Sequence, residues 1–181
     1  MSSLILRNFT TRDLIIIAGL AGIGIAIKPL VSPLSKMIST PLMVPGGSFT
    51  GGLYMLWLVL AVLIVSKPGT GTLYGLLQAL VVMVIGLRGN QGLLTLVSYT
   101  LPGILVDVIY YLLRRPGWIV THLILCSLAN MAGALVVAVF LFHHPLLYIG
   151  IIAGMSLVSG CLGGAVSYGI YKSLTKYGLV T

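Results

Sequence analysis

Few polar side chains interrupt the long apolar segments of this 181-residue chain, and their types suit binding better than bond-breaking chemistry. They are the aromatic, amide and carboxylate residues Tyr54, Trp57, Asn90, Gln91, Tyr99, Asn130 and Asp107. Aromatic rings can stack on a flat solute, and amides can fix its orientation through hydrogen bonds, as small-molecule pockets require. Because a polar group within an apolar segment is costly, each of these residues is a candidate for a binding site.

Each candidate also has a structural interpretation. Asp107 can form a hydrogen bond between helices or pair with a basic residue, and Asn130 can bridge two helices as readily as face a ligand. The three aromatic residues can belong to an interfacial belt. The Gly-Asn-Gln-Gly stretch at 89–92 can be a simple turn.

Catalytic arrangements are not found in the sequence. There is no Ser-His-Asp or HExxH pattern, no phosphate-binding Gly-Lys-Ser/Thr loop and no acidic cluster. Cys126 and Cys161 lie in apolar segments without metal-ligand spacing. The adjacent His143 and His144 point in different directions. We therefore expect neither an enzyme nor a metal site, and no cofactor.

Composition predicts an all-α, polytopic membrane protein. Hydrophobic residues make up 59% of the chain, charged residues 7%, and the mean hydropathy is +1.16. In hydrocarbon every backbone polar group must be paired within its own segment, which favours helices. The chain carries ten Lys and Arg against two acids. In so apolar a chain this excess indicates loops anchored at an anionic membrane surface, not binding of nucleic acid.

Six membrane-spanning helices account for nearly the whole chain as a single domain, since each takes about 20 residues. We expect them at about residues 13–28, 49–66, 72–87, 93–113, 118–142 and 146–172. Thr10 and Asp13 are typical of a helix start, with a hydroxyl cap and an acid in the first turn. The Pro- and Gly-rich segment 29–47 is expected to be an ordered outer loop or a partial re-entrant element.

The positive-inside rule predicts that both termini lie in the cytoplasm of a prokaryotic cell. With that orientation most basic residues lie in inner segments. They are Arg7, Arg12, Lys67, Arg114, Arg115, Lys172 and Lys176. The outer segments hold Lys28, Lys36 and Arg88.

Small residues form one face of the first helix. Ala18, Gly22 and Ala26 recur at intervals of four residues, and such faces let membrane helices approach closely. The face can pack within the bundle or dock a separate subunit. Gly150 and Gly154, and then Gly160 and Gly164, repeat the spacing in the last helix.

The chain resembles the substrate-binding S components of energy-coupling factor (ECF) transporters. The resemblance rests on the six helices, the cytoplasmic termini, the small-residue face of the first helix and the long first outer loop. It implies a subunit that binds a vitamin or related micronutrient from outside. It also implies a transmembrane T component, docked at Ala18, Gly22 and Ala26, and two ATPase subunits as partners.

Three stretches are similar to the branch of this family associated with hydroxymethylpyrimidine and thiamine precursors. They are Gly52-Leu53-Tyr54-Met55-Leu56-Trp57, Lys67-Pro68-Gly69 and Gly89-Asn90-Gln91-Gly92-Leu93-Leu94-Thr95. An acid late in the fourth helix, here Asp107, also fits. The resemblance covers residues from Phe9 to Arg115, and the last two helices resemble the family only by hydropathy.

Our preferred hypothesis is a subunit that binds a small, flat, vitamin-like solute in a pocket that opens outward beneath the 29–47 segment as a lid. Tyr54, Trp57 and Tyr99 would form its apolar walls. Asn90, Gln91 and Asn130 would supply hydrogen bonds, and Asp107 would pair with a cationic ring or serve a structural or coupling role. The alternatives are an S component for another micronutrient, a structural or assembly protein without a ligand, and an integral membrane enzyme.

Overall fold

Helices are the sole regular structure in the described part of the chain. The computed structural model describes residues 9–41, 44–86, 92–113, 115–140 and 145–178. The helices are α1 (Thr11–Ala26), α2 (Lys28–Ser39), α3 (Gly47–Val65), α4 (Thr70–Ile85), α5 (Gly92–Leu113), α6 (Ile119–Phe140) and α7 (Leu146–Lys176). Within these residues, five helical segments are long and apolar enough to cross a membrane, and α1 and α2 together count as one of them. The predicted all-helical membrane protein is confirmed.

The start of α1 is the capping arrangement that the sequence predicted. The Thr10 hydroxyl accepts a hydrogen bond from the Asp13 amide at 3.3 Å, and the Thr10 amide donates to the Asp13 carboxylate at 2.7 Å. These two bonds satisfy amides that have no partner within the helix. Lys67 adds an ion pair to Asp13 at 2.5 Å, which ties α1 to the turn after α3.

The segment 29–47 differs from the loop that we expected, because it contains the twelve-residue helix α2. Pro29 lies in the first turn of α2, where a missing N–H would have had no helical partner. Proline there begins a new helix directly after Ile27. The polar residues that suggested a loop lie along one side of this helix.

Helix α4, with 16 residues, is shorter than the spanning helices and is bounded by two glycines. Gly69 has φ of 86° and Gly86 has φ of 70°. This left-handed conformation is costly for residues with a side chain, so glycine sets both ends of α4.

Close helix packing depends on glycines that face neighbouring backbones. A Cβ on Gly164 would lie 2.7 Å from Leu123 Cα of α6. A Cβ on Gly160 would overlap the α6 backbone at Ser127, and one on Gly163 would overlap the α3 backbone at Gly52. The predicted spacing at 160 and 164 therefore serves packing within the bundle. By contrast, nothing lies within 4 Å of a Cβ on Gly150 or Gly154.

Helix α3 lies at the centre of the bundle. Its residues Val59–Leu63 are at most 1% exposed. The outer surface instead carries large aliphatic side chains, among them Val84, Leu112 and Leu146, each more than three quarters exposed. Such a surface suits lipid, which does not drive apolar groups inward as water does. The cytoplasmic location of the termini stays a prediction.

Candidate functional site

A cavity of about 610 Å³ lies at the end of the bundle that carries α2. It is formed by helices α2 to α6 and the residues just before α3. Its polar and aromatic lining residues are Lys28, Ser32, Ser35, Lys36, Thr50, Tyr54, Tyr74, Gln78, Ser98, Tyr99 and Asn130. Apolar lining is supplied by residues such as Met55, Leu58, Ala134 and Val137. The volume and the mixed lining fit a small organic molecule.

Helix α2 forms one wall of the cavity and is fastened to the start of α3. The Ser35 hydroxyl donates to the Gly46 carbonyl at 2.7 Å, and the Thr50 hydroxyl donates to Ser35 at 3.3 Å. A Cβ on Gly46 would overlap the Ser35 hydroxyl, so glycine lets the two elements meet. Helix α2, which belongs to the segment expected to act as a lid, is therefore a wall of the cavity in this conformation.

The opposite side of α2 is apolar and exposed. Leu30 and Met37 are each 75% exposed, and Leu34 is 63% exposed. With Lys28, Ser32 and Ser35 on the cavity side, α2 has its polar side inward and its apolar side outward. This is the arrangement that a helix in contact with lipid requires when it borders a polar chamber.

A hydrogen-bonded network joins α2, α4 and α5 at the cavity wall and reaches the backbone of α1. The Lys28 ammonium donates to the Tyr99 hydroxyl at 2.9 Å and lies 3.5 Å from the Gln78 side-chain oxygen. The Gln78 amide donates to the Tyr74 hydroxyl at 3.0 Å and to the Ala21 carbonyl at 3.2 Å. Gln78 thus accepts from the lysine through its oxygen and is anchored to α1 through its nitrogen.

Gly24 makes room for this network. A Cβ at Gly24 would lie 2.6 Å from the Gln78 amide nitrogen and 2.8 Å from the Tyr74 hydroxyl. Both distances are far shorter than van der Waals contact. The glycine therefore lets two polar side chains of α4 reach the α1 backbone.

Two tyrosines place their rings near the Lys28 ammonium. The Nζ atom lies 4.1 Å from the centre of the Tyr99 ring and 5.8 Å from the centre of the Tyr54 ring. Both distances are within the range of a cation–π attraction. The ring and hydroxyl of Tyr99 together hold the ammonium at the cavity wall.

Asn130 bridges two helices and also lines the cavity, and its contact with a ligand stays a prediction. Its amide nitrogen donates to the Ser156 carbonyl of α7 at 2.9 Å, so it bridges two helices. It is 2% exposed, and it also lines the cavity. Its side-chain oxygen lies where a Cβ on Gly51 would be, so α3 and α6 can approach here because residue 51 is glycine.

The cavity brings together some of the residues predicted to bind a solute. Tyr54, Tyr99 and Asn130 line it. Trp57 and Asp107 do not, and Asn90 and Gln91 lie outside the described residues.

Trp57 faces α1 and not the cavity. Its Cβ is 3.6 Å from where a Cβ on Gly24 would be, and its ring packs against the central apolar core. The indole nitrogen is buried and has no hydrogen-bond partner among the described residues. Tyr54 and Trp57 are three residues apart, a spacing that places them on neighbouring parts of one helix face, so the spacing by itself does not show that only Tyr54 lines the cavity.

Asp107 lies at the opposite end of the bundle, where it caps α4. Its carboxylate accepts hydrogen bonds from the Gly71 amide, the Thr72 amide and the Thr72 hydroxyl, each at 2.8 Å. Negative charge at a helix N-terminus is favourable because the first amides point toward it. The structural interpretation of Asp107 matches these contacts.

The small-residue face of α1 lies on the surface of the bundle. Ala18, Gly22 and Ala26 are exposed, and nothing lies within 4 Å of a Cβ on Gly22. The bundle packs against other α1 residues, among them Ile17 and Ala21. The interpretation of this face as internal packing is therefore wrong.

Sequence reasoning missed Lys28, Tyr74 and Gln78 as cavity residues. Lys28 ends the first apolar segment directly before Pro29, a position that the positive-inside rule assigns to an outer segment. One available signal was the helical spacing of polar residues at 28, 32, 35 and 39, with leucines at 30 and 34. Gln78 is a polar residue within an apolar helix, which by itself marks a candidate site.

Comparisons with known proteins identify a family and a shared fold. The profile of a family described as the permease component of ABC-type cobalt transport systems matches residues 12–136. A crystal structure of an S-component of an ECF transporter superposes with a TM-score of 0.73. That likeness has 17% sequence identity and covers 95% of this chain and 88% of the other. It establishes a shared fold. No curated protein sequence gives a significant match.

Proposed function

The chain belongs to the family of permease components of ABC-type cobalt transport systems, and on that premise we propose that it is the solute-binding subunit of an ECF-type importer. It is a multi-pass membrane protein with the fold of an ECF S-component. The observation that carries the proposal is the cavity of about 610 Å³ bordered by α2. A structural or assembly protein without a ligand, which is an alternative from the sequence, would not require such a cavity.

The solute that suits this cavity is organic. Cobalt and similar ions are held by imidazole, thiolate or carboxylate groups. The described residues include no group of three or more such side chains that could hold a metal ion. The cavity instead offers hydroxyl, amide and aromatic groups, which recognise an organic molecule through shape and a few hydrogen bonds.

The thiamine-precursor branch that we inferred from sequence motifs stays a prediction. The matched family is described by cobalt transport and lends that branch no support. Of the motif residues, Tyr54 lines the cavity, whereas Trp57 packs against α1. Substrate identity is therefore best approached through the chemistry of the cavity.

We propose that transport requires partner subunits, because the chain has the fold of an ECF S-component. An ECF S component works with a T component and two ATPase subunits, and we propose that they supply ATP hydrolysis. The exposed face at Ala18, Gly22 and Ala26 is the proposed docking surface for the T component. Its small side chains would let a partner helix approach closely.

The decisive experiment fills the cavity and measures solute binding. Ser32 lines the cavity and Leu34 lies on the exposed side of the same helix, so Ser32→Trp and Leu34→Trp form a matched pair. With protein in lipid nanodiscs, calorimetric titration against a panel of vitamins should show binding to the parent chain and to Leu34→Trp. We expect Ser32→Trp to lose at least about tenfold in affinity, since an indole occupies space that the solute needs.

Two results would contradict the proposal. One is that no compound in the panel binds the parent protein and no small molecule is released when protein purified from its own membranes is denatured. The other is that a bound compound retains its affinity in Ser32→Trp, because the cavity would then not be its site.

A further inference from the structure

Asn130 places a side-chain oxygen at the cavity, and its bond to α7 shows which of its two polar atoms is the oxygen. One of these atoms lies 2.9 Å from the Ser156 carbonyl oxygen, which can only accept a hydrogen bond, so this atom is the amide nitrogen. The other atom, the oxygen, lies over Gly51 and accepts no hydrogen bond from the described residues. A side chain at residue 51 would cover this oxygen, and glycine leaves it open.

A second acceptor comes from the backbone of α5. Pro102 lies inside this helix and has no N–H, so the Ser98 carbonyl lacks the donor that the residue four positions later supplies in a regular helix. The Ser98 carbonyl oxygen lies 3.7 Å from where a Cβ on Gly133 would be. Because Ser98 and Gly133 both line the cavity, this freed oxygen lies at the cavity wall, and again a glycine leaves it uncovered.

The Ser98 hydroxyl adds a third acceptor. It donates its single hydrogen to the Thr95 carbonyl at 3.2 Å, so its lone pairs are what remains for a solute. Asn130 and Gly133 are three residues apart on α6, about 4.5 Å along the helix axis, so these oxygens border the same part of the cavity. We call Ser98, Asn130 and Gly133 the acceptor wall. It offers three acceptor oxygens against one remaining donor, the second N–H of Asn130.

We propose that the solute binds the acceptor wall through N–H donors, supplied by an amino or amide group at the edge of the molecule. A buried acceptor without a donor is costly, so this wall favours a ligand that brings the missing hydrogens. This assignment rests on the proposed solute-binding function and narrows it to a chemical class. A carboxylate or phosphate group brings only acceptors and would be disfavoured at this wall.

The test compares solutes in which an amino group is replaced by a methyl group of nearly equal size. Suitable pairs are adenine with 6-methylpurine, nicotinamide with 3-acetylpyridine, and hydroxymethylpyrimidine with its analogue that has methyl in place of the amino group. In nanodisc calorimetry the amino or amide member of the bound pair should bind about ten- to hundredfold more tightly, since the methyl analogue leaves acceptor oxygens unpaired. Any solute retained by protein purified from its own membranes, identified by mass spectrometry, should carry an N–H group.

Pro102→Ala tests the freed carbonyl without changing a side chain that lines the cavity. Alanine restores the N–H that donates to the Ser98 carbonyl within α5, so the preference for the amino member should fall by about three- to tenfold. Thermal stability should stay the same or rise, because proline is unfavourable inside a helix. The matched control is Pro145→Ala, at an exposed proline just before α7 and outside the cavity, which should leave the preference unchanged.

Asn130→Leu tests the side-chain acceptor. Leucine has the same number of side-chain heavy atoms and the same branching but no oxygen, so the preference should fall by about tenfold or more. Because this change also removes the bond to Ser156, thermal unfolding is measured in parallel. Gly133→Ala is a milder second variant. Its Cβ would lie 3.4 Å from the nearest atoms of Met55 and Pro102, an ordinary contact, and would partly cover the Ser98 carbonyl, so the preference should again fall.

The outcomes separate this inference from the proposed function. Equal binding of both members of the bound pair, or a retained solute without an N–H group, would overturn the inference and leave the solute-binding function standing. Full preference in Pro102→Ala or in folded Asn130→Leu would also overturn it, and if Asn130→Leu does not fold, full preference in Gly133→Ala has the same consequence. A requirement for sodium ions would overturn it too, because the acceptor oxygens would then hold that cation. Failure of every compound to bind, together with no small molecule retained by the purified protein, would refute both.

Discussion

Replacing Asp107 should destabilise the bundle without weakening solute binding. The Asp107 carboxylate of α5 accepts three hydrogen bonds at 2.8 Å from Gly71 and Thr72, the first residues of α4. The position before α4 is Gly69, which has no side chain to cap the helix. Asp107 therefore provides from a neighbouring helix the cap that α4 lacks.

The expected cost follows from those bonds. A helix cap contributes about 0.5–2 kcal/mol, and a hydrogen bond to a charged group contributes about 1.5–3 kcal/mol. Withdrawing a carboxylate from water offsets part of this gain. Loss of the group in Asp107→Ala should thus lower the free energy of unfolding by about 2–4 kcal/mol. Helices α4 and α5 already approach closely here, since a Cβ on Gly71 would lie 2.5 Å from the Gly103 carbonyl oxygen. They therefore cannot move together to fill the space that the Asp107 side chain leaves.

Unfolding in mixed detergent–SDS micelles, followed by circular dichroism, measures this loss. Thr72→Val removes one of the three bonds and should cost about 1 kcal/mol. Asp13→Asn, at the other acid of the chain, weakens a partly exposed ion pair and should cost about 1 kcal/mol or less. Affinity for the solute should stay within about twofold in folded Asp107→Ala, because Asp107 does not line the cavity. If that variant kept full stability and lost solute affinity, the sequence-based assignment of Asp107 to the binding site would be right and the capping role wrong.

Two further predictions concern glycines. Gly22→Leu should prevent co-purification with a T component, because the large side chain projects from the proposed docking face. The control Gly154→Leu, on an equally open surface of α7, should leave the complex intact. An unaffected complex with Gly22→Leu would show that the T component docks elsewhere. Gly163→Ala should lower the free energy of unfolding by about 1–3 kcal/mol, since its Cβ would overlap the backbone at Gly52. Gly169→Ala, in open space on the same helix, should instead raise stability by about 0.5–1 kcal/mol; similar effects of the two substitutions would argue against the close contact of α3 and α7.

Properties that depend on residues close together in the sequence could be predicted from the sequence. Apolar segments separated by Pro, Gly and basic residues predicted the helical membrane architecture, and Thr10 with Asp13 predicted the start of α1. The expected loop over 29–47 was less accurate. Pro29 marked a boundary, but a proline in a first turn is compatible with a new helix as well as with a loop. The polar composition of α2 reflected the cavity beside it.

The candidate site was predicted only in part, because lining a cavity depends on which side of each helix faces inward. Tyr54 and Trp57 looked equivalent in sequence, and the structure directs one to the cavity and the other to α1. The small-residue face of α1 was likewise compatible with internal packing and with docking. Gly22 is exposed because a different side of α1 packs against α3 and α4.

The sequence by itself determined that this chain resides in a bilayer as a helical bundle, because hydrophobicity acts along each segment and needs no knowledge of its neighbours. Only the tertiary structure decided where charge meets the cavity. The Lys28–Tyr99 contact joins residues 71 positions apart, and the Lys28–Gln78 contact joins residues 50 apart. Such contacts depend on the rotation and spacing of packed helices, which glycines at 24, 51, 52 and 163 set by allowing close approach. The chemistry of the cavity therefore arises from packing, although each side chain that supplies it can be read in the sequence.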